Sequence, residues 1–316
     1  MKRLLLACLL AAQASFAYAD DPWQLLQNAA DASRNLSYRG IFVYQSGKNS
    51  RSVQLTHMNY GQGEYARSIV LDGSPREVLS QGSDLVIYSP RNEKVVITKR
   101  RAQNLFPALL PANMEEIKES YQARLGGEER VGGREGQIIF LDSRDQYRYG
   151  YKFWTDKQYG LILKSMTFNE KNEPIEQITF TQLTLLDTHN MDWFQPTVDP
   201  AKRYVMEEEE TVASVDTSDL SIDPIPAGFH KIDQVQRMVP GKPVPVTHLI
   251  FSDGLASVSL FIERLNKMHP PKLGHRMVGS TNFYIQATDG YQVVAVGEVP
   301  AATVTQMANA VKFKKQ

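Results

Sequence analysis

The first periodic stretch of the chain is helical. Asp21 stands where a cap would, Pro22 suits the first helical position and Gln24 occupies the capping-box position. Trp23, Leu26, Ala30 and Ser33 then share one face. After Leu36 the apolar period drops to two for about 150 residues, the mark of half-buried strands. This alternation predicts strands over 37–46, 52–60, 64–72, 76–81, 84–89 and 93–99, with glycine, proline and asparagine turns between them. A helical interruption over 102–125 follows, broken by Pro107 and Pro111. GGEERVGGREG (126–136) reads as a hairpin or loop, because it lacks G-x-G-x-x-G spacing and a following helix. Strands resume over 137–143, 147–155, 161–168 and 174–186, which makes an antiparallel meander of about ten strands.

From Asp192 to Asp223 the pattern dissolves into prolines and an EEEE run, the composition of a linker. A second alternating region starts near Pro224. It has a strand in IPAGFHKIDQVQRMV, two arms around Asp253-Gly254 and two more around Asp289-Gly290. D-G between apolar alternations predicts a two-residue type I′ hairpin, which needs positive φ at both positions. Val304, Met307, Ala308 and Val311 close the chain with a helical stripe. The expected class is α+β, mainly β. A half-barrel of antiparallel strands covered by helices takes 20–191, a linker 192–223, and a small domain of one antiparallel sheet and one helix 224–316.

HLIFSDGLASVSLFIE (248–263) brings a histidine, an aspartate and three serines together, the residue types of a serine hydrolase. With Asp253 and Gly254 at the turn, Phe251 would pair with Ala256, Leu249 with Val258 and His248 with Ser259. One face is then apolar: Leu249, Phe251, Ala256, Val258, Leu260 and Ile262. The other mixes His248, Ser257 and Ser259 with Leu255 and with exposed Ile250 and Phe261. At about 3.3 Å per residue, Asp253 lies too far along the ladder to orient His248. The stretch holds a shape and forms no triad.

Composition narrows the class further. Lys2-Arg3, the apolar run Leu4–Ala17 and Ala17-Tyr18-Ala19 read as a secretory signal peptide over 1–19, cleaved after Ala19, which implies an exported protein. The one cysteine, Cys8, lies inside that segment, so the mature chain is expected to lack disulfides, thiolate ligands and a thiol nucleophile. The same cleavage removes Lys2 and Arg3 and no acid, so 35 Lys+Arg become 33 against 35 Asp+Glu, a net charge of −2. Such a balance gives no electrostatic reason to bind nucleic acid. His269 and His275 flank PPKLG without a nearby carboxylate, and no carboxylate pair can be placed across a cleft, so neither metal, cofactor nor enzyme activity is expected.

What remains is surplus apolar surface. YRYGYKFW and QIIFL are apolar on both sides, whereas an antiparallel sheet usually buries one face. Either helices cover the second face, or a curved, incompletely closed sheet keeps a hollow for an acyl chain. YRGIFVYQSG, LDGSPREVL, GYKFWTD with YGLILKS, the P-x-P-x-GF entry of the second region, HLIFSDGLASVSLFIE and GEVP together resemble the RseB/MucB family, over essentially the whole mature chain. The resemblance implies a lipoprotein-carrier-like half-barrel, a smaller C-terminal domain and a periplasmic role in envelope stress. Members bind the periplasmic part of a transmembrane anti-sigma factor (MucA/RseA-like) and shield it from site-1 proteolysis, until lipid or lipopolysaccharide fragments release it; alginate repression belongs to the MucB-like members. Monomer and homodimer stay open. The runner-up reading is a periplasmic lipid or lipoprotein carrier. Large apolar groups on central strands are the expected lipid lining: Phe42, Tyr44, Ile87, Ile97, Phe140, Phe153, Met166 and Phe180. For the protein partner the expectation is Ile250, Leu255 and Phe261.

Overall fold

The computed structural model describes residues 21–314, apart from 62, 83, 90, 92, 100–104, 198–202, 209–210, 213–219, 238–244 and 267–270. Helix α1 (Pro22–Asn35) forms as the sequence predicts, with Pro22 in its first turn and the Asp21 side chain accepting from the Trp23 N–H. The capping box does not form, since Gln24 donates instead to Asn28.

Eleven antiparallel strands follow: β1 (Tyr38–Ser46), β2 (Asn49–Tyr60), β3 (Gly63–Val70), β4 (Glu77–Gln81), β5 (Asp84–Ser89), β6 (Lys94–Lys99), β7 (Tyr121–Val131), β8 (Arg134–Ser143), β9 (Gly150–Asp156), β10 (Ile162–Phe168) and β11 (Pro174–Leu185). With β12 (Val205–Glu208), parallel to β6, they make one sheet in the order β12-β6-β5-β4-β3-β2-β1-β11-β10-β9-β8-β7. Its ends, β12 and β7, are not hydrogen-bonded neighbours, so the sheet is open. It is also strongly curled. In a flat sheet β8 would lie about 14 Å from β11, yet a methyl group on Gly132, at the β7–β8 turn, would come 2.9 Å from the Phe180 carbonyl oxygen.

The helical reading of 102–125 is corrected. Among its described residues only α2 (Glu115–Lys118) is α-helix, and β7 begins at Tyr121. Pro107 and Pro111 exclude a continuous helix. The β7–β8 pairing that runs from Tyr121–Ser143 to Val131–Arg134 supplies what the local pattern could not show. The stretch from Asp192 is likewise not all loop. After a 3-10 turn (Met191–Phe194) it adds β12 to the large sheet. Then β13 (Thr211–Val212) joins the second sheet, and β14 (Leu220–Ile222) pairs with the C-terminal β21 (Val311–Phe313).

The second sheet has the order β13-β15-β16-β17-β20-β19-β18. Its strands are β15 (His230–Arg237), β16 (Val246–Ser252), β17 (Ser257–Arg264), β18 (Gly274–Val278), β19 (Thr281–Thr288) and β20 (Tyr291–Gly297), and α3 (Ala301–Asn309) packs on it. Leu249, Phe251, Ala256, Val258, Leu260 and Ile262, the apolar face read from the sequence, form one core with Val293, Ala295, Val304, Met307 and Ala308.

The Asp289-Gly290 turn has positive φ at both residues, 50° and 80°, as a type I′ turn requires. The Asp253-Gly254 turn differs from its expected form. Ser252 pairs with Ser257, and Asp253 Oδ1 accepts from the N–H groups of Leu255 (3.0 Å) and Ala256 (2.7 Å), so the loop has four residues. The register is therefore shifted by two: His248 faces Phe261, Leu249 faces Leu260, Ile250 faces Ser259 and Phe251 faces Val258. A two-residue shift preserves strand parity, which is why the apolar face survived the wrong pairing.

Tight packing across the large sheet gives a stability prediction. A methyl group at Gly40 would lie 2.6 Å from both the Gln182 carbonyl oxygen and the Phe180 ring, beside the β1–β11 bulge at Ile41/Phe42. Gly40→Ala should lose about 1–3 kcal/mol, the usual range for overpacking, read from the urea midpoint. An unchanged midpoint would mean that the bulge yields freely.

Candidate functional site

Strand register sorts the expected lipid-lining residues onto two faces. Tyr38, Phe42 and Tyr44 of β1 share a face with Phe180 and Ile178 of β11, Ser165 of β10, Phe153 of β9 and Ile139 of β8. This is the face covered by α1 through Leu26, Ala29 and Ala30. Ile87 lies on it too, reached through Leu55, Ser68 and Val78, but four strands from β1, about 19 Å away in a flat sheet. Ile97, Phe140 and Met166 point the other way: Ile97 stands beside Val86, and Phe140 beside Lys152, which in turn faces Met166. Phe140 lies under the Arg124 guanidinium at 3.8 Å, and with Met166 it joins a separate small cluster around Trp154. Large size on a central strand was the wrong criterion, because alternate residues of a strand face opposite sides.

The helix-covered face is filled at its centre. Phe153 is 0% and Phe180 1% exposed. The Phe106 ring lies 5.1 Å from that of Phe42 and 4.8 Å from that of Phe180, so Phe106 plugs the trough. The plug is tied to α1: Arg34 donates to the Leu110 carbonyl (2.5 Å), Gln27 donates to the Ala112 carbonyl (2.8 Å), and Gln27 accepts from the Met114 N–H (3.2 Å). Phe153 and Phe180 are thus core, not the walls of an empty hollow. Farther along the same face Val53, Val70, Val78, Ile87 and Val96 are only half-buried.

Toward the second domain the face becomes polar. The row Ser46–Glu176–Thr167–Tyr151 crosses β1, β11, β10 and β9. The Tyr44 hydroxyl donates to Glu176 at 2.9 Å. Burial, then the charge of Glu298 from the second domain, pushes the Glu176 carboxyl up to about 7 against the Tyr44 hydrogen bond. Burial is also the main cause lifting the Tyr44 hydroxyl to about 12, with Glu176 next.

Beside this row the two domains are joined by a buried ion pair. Arg148 Nε donates to Asp253 Oδ2 at 2.6 Å, and both side chains are 0% exposed. The same guanidinium donates to Asp145 and to the Ala227 carbonyl, and lies 4.9 Å from the Phe229 ring. The Tyr121 hydroxyl donates to Asp253 Oδ2 at 3.3 Å; burial, then Asp253, holds that phenol well above its usual range, so it stays a donor. Gly228 fits only because it has no side chain: its φ is +80°, and a methyl group there would lie 2.5 Å from Ser120 Oγ. Asn282 donates to the Tyr149 hydroxyl (3.0 Å) and Thr303 to the Tyr147 carbonyl (2.7 Å), extending the junction.

The expected partner residues stand differently from their sequence reading. Ile250 is 4% exposed rather than open, with Asp233 of β15 and Ser259 of β17 as its neighbours in register. Leu255 packs against the core of the large sheet, at the junction. Phe261 is half-buried, its ring stacked on His248 at 4.2 Å. Asp253 reads from sequence as a turn former and is also the anchor of the domain junction; nothing local announces the second role. No described helix is long and apolar enough to cross a membrane, and the described residues contain no group of three or more His, Cys, Asp or Glu placed to hold a metal ion. What the geometry offers is a two-domain binding frame.

Comparison with known proteins gives this frame its relatives. The MucB/RseB N-terminal domain model matches residues 21–198, and the MucB/RseB C-terminal domain model residues 214–312. The sigma factor AlgU regulatory protein MucB of Pseudomonas aeruginosa is 32% identical over 98% of this chain and 96% of its own length. The sigma-E factor regulatory protein RseB of Haemophilus influenzae is 24% identical over 92% and 91%. Among solved structures, MucB in complex with MucA(peri) superposes with a TM-score of 0.74 at 28% identity, covering 94% of this chain and 100% of that one. MucB by itself gives 0.68 at 26% identity, covering 93% and 98%. Matched along both domains, the chain belongs to the MucB/RseB family.

Proposed function

We propose that this chain is a periplasmic negative regulator of an envelope-stress sigma factor. It binds the periplasmic part of a transmembrane anti-sigma factor and shields it from site-1 proteolysis. The observation that carries this reading is the two-domain match to MucB in its complex with MucA(peri). The first twenty residues, outside the described structure, fit export by their sequence. Lipid or a lipopolysaccharide fragment is the releasing signal. An acyl chain enters over the half-buried flank of Val78, Ile87 and Val96 and reaches Phe42 by displacing Phe106. Displacing that plug disturbs the segment against which the Asp253 turn rests, since a methyl at Gly254 would lie 3.0 Å from Ile117. By linkage, lipid and partner then weaken each other by one common factor. Of the partner contacts proposed from the sequence, Phe261 and Leu255 are both half-buried, and Leu255 becomes more available when the junction loosens.

The test is protection from proteolysis. The anti-sigma periplasmic segment is incubated with its site-1 protease; adding this protein should block cleavage, and adding lipid afterwards should restore it. If the first addition leaves cleavage unchanged, the regulatory reading fails. If the second does, only the lipid trigger fails.

A further inference from the structure

Among the described residues strand β18 ends the C-terminal sheet, and it was not visible in the alternation pattern. It pairs with β19 through a two-residue turn in which Gly279 has φ +62°, and Val278–Thr281 is the closing pair. In such a hairpin the closing pair exchanges both hydrogen bonds, and bonded pairs alternate from there. Val278, Arg276 and Gly274 therefore bond to β19, while the N–H and C=O groups of His275 and Met277 point away from the sheet. An outward row of backbone groups is a template for another strand.

Three apolar side chains along this edge are exposed: Leu273 59%, Met277 65% and Val278 70%. Its own charges are basic: Lys272 and Arg276 stand on or beside β18, and residues 271–281 contain no Asp or Glu. Those cations disfavour pairing with the β18 of a second copy and favour an acidic strand. The edge also sits at the domain junction, because a methyl at Gly279 would come 3.9 Å from Ser46 Oγ at the end of β1.

We propose that an extended, acidic segment of the anti-sigma partner adds to β18 as an eighth strand of the seven-stranded C-terminal sheet, laying apolar side chains on Met277 and Val278. Main-chain bonds to His275 and Met277 supply affinity, and Arg276 and Lys272 select acidic sequences. The proposal rests on the regulatory reading above and adds to it where and how the partner is gripped.

Met277→Pro removes an outward N–H and leaves the bonds to β19 intact, since proline is tolerated on an edge where its N–H would face solvent. The purified periplasmic segment of the anti-sigma factor is titrated calorimetrically into the full-length mature protein. Met277→Pro should weaken binding about tenfold or more, and Arg276→Glu should weaken it and flatten its salt dependence. In the wild-type complex the amides of His275 and Met277 should gain protection from hydrogen exchange. Binding by Met277→Pro at wild-type affinity, or unchanged exchange at those two amides, overturns the edge assignment alone. Absence of any wild-type binding overturns the regulatory reading itself. Self-association of the wild type that Met277→Pro abolishes would assign the edge to a second copy and overturn the proposal.

Discussion

Removing the Arg148 side chain, by Arg148→Met, should destabilise the protein by about 3–5 kcal/mol, because it strands the Asp253 carboxylate without its counter-charge. Both groups are 0% exposed, and the Tyr121 hydroxyl at 3.3 Å is the only other side-chain donor to Asp253 Oδ2 among the described contacts. Asp253→Asn should cost less. An amide oxygen still accepts from the N–H groups of Leu255 and Ala256, so the turn keeps its shape while the charge goes. The double variant should cost clearly less than the sum of the two, since neither charge is then left unpaired. Urea denaturation checks the energies, and its form checks the role. Each single variant should separate one wild-type transition into two, because this pair joins one domain to the other. Additive losses with a single transition throughout would show that the pair does not couple the domains.

Much of this frame is written locally and the rest is not. The α1 cap, the Asp289-Gly290 turn and the apolar face of β16–β17 follow from two or three residues each, and the structure contains all three. The β7 strand was hidden because GGEERV carries no alternation; only its pairing with β8 defines it. The misplaced register at Asp253 has a chemical cause: its carboxylate bonds the next two amides but one, which makes a four-residue loop where D-G alone implies two. Phe140, Met166 and Ile97 were placed with Phe42 by size, although Ile139 and Leu141, alternating with Phe140, are the residues that face α1. Counting parity from Phe153 would have shown this, since Phe153 pairs with Ile139. Arg148 and Glu176 were not legible at all. Each looks like an ordinary surface charge in its strand, and its meaning comes from Asp253 or Glu298 on the other domain. Contacts between distant parts of the chain leave no periodicity behind.

Glu176→Gln should remove a pH dependence that the wild type shows between about pH 4.5 and pH 7. In the folded protein the carboxyl is raised from 4.5 to about 7, first by burial and second by Glu298, with Tyr44 opposing through its hydrogen bond. A raised acid favours the protonated native state, so this contribution is full below 4.5, the unfolded value, and disappears as pH rises through about 7. A shift from 4.5 to about 7 corresponds to about 3 kcal/mol between those limits. Glutamine keeps an acceptor for the Tyr44 hydroxyl and never ionises, so at about pH 8 the variant should be the more stable protein, and at about pH 4, below the unfolded value, the two should coincide. The loss has a direction in space as well. Ionised Glu176 faces Glu298 across the domain junction, and Tyr151 feels both charges. Alkaline conditions should therefore loosen the seam before they unfold either domain. Hydrogen exchange at Ser280 and Asn282, which contact Glu298 and Tyr149 respectively, should accelerate above about pH 7 in the wild type beyond the intrinsic base-catalysed rate, and not in Glu176→Gln. A wild type that grows more stable as pH rises through this range would mean that Glu176 is ionised and paired in the native state, and the coupling between its proton and the domain junction would be wrong.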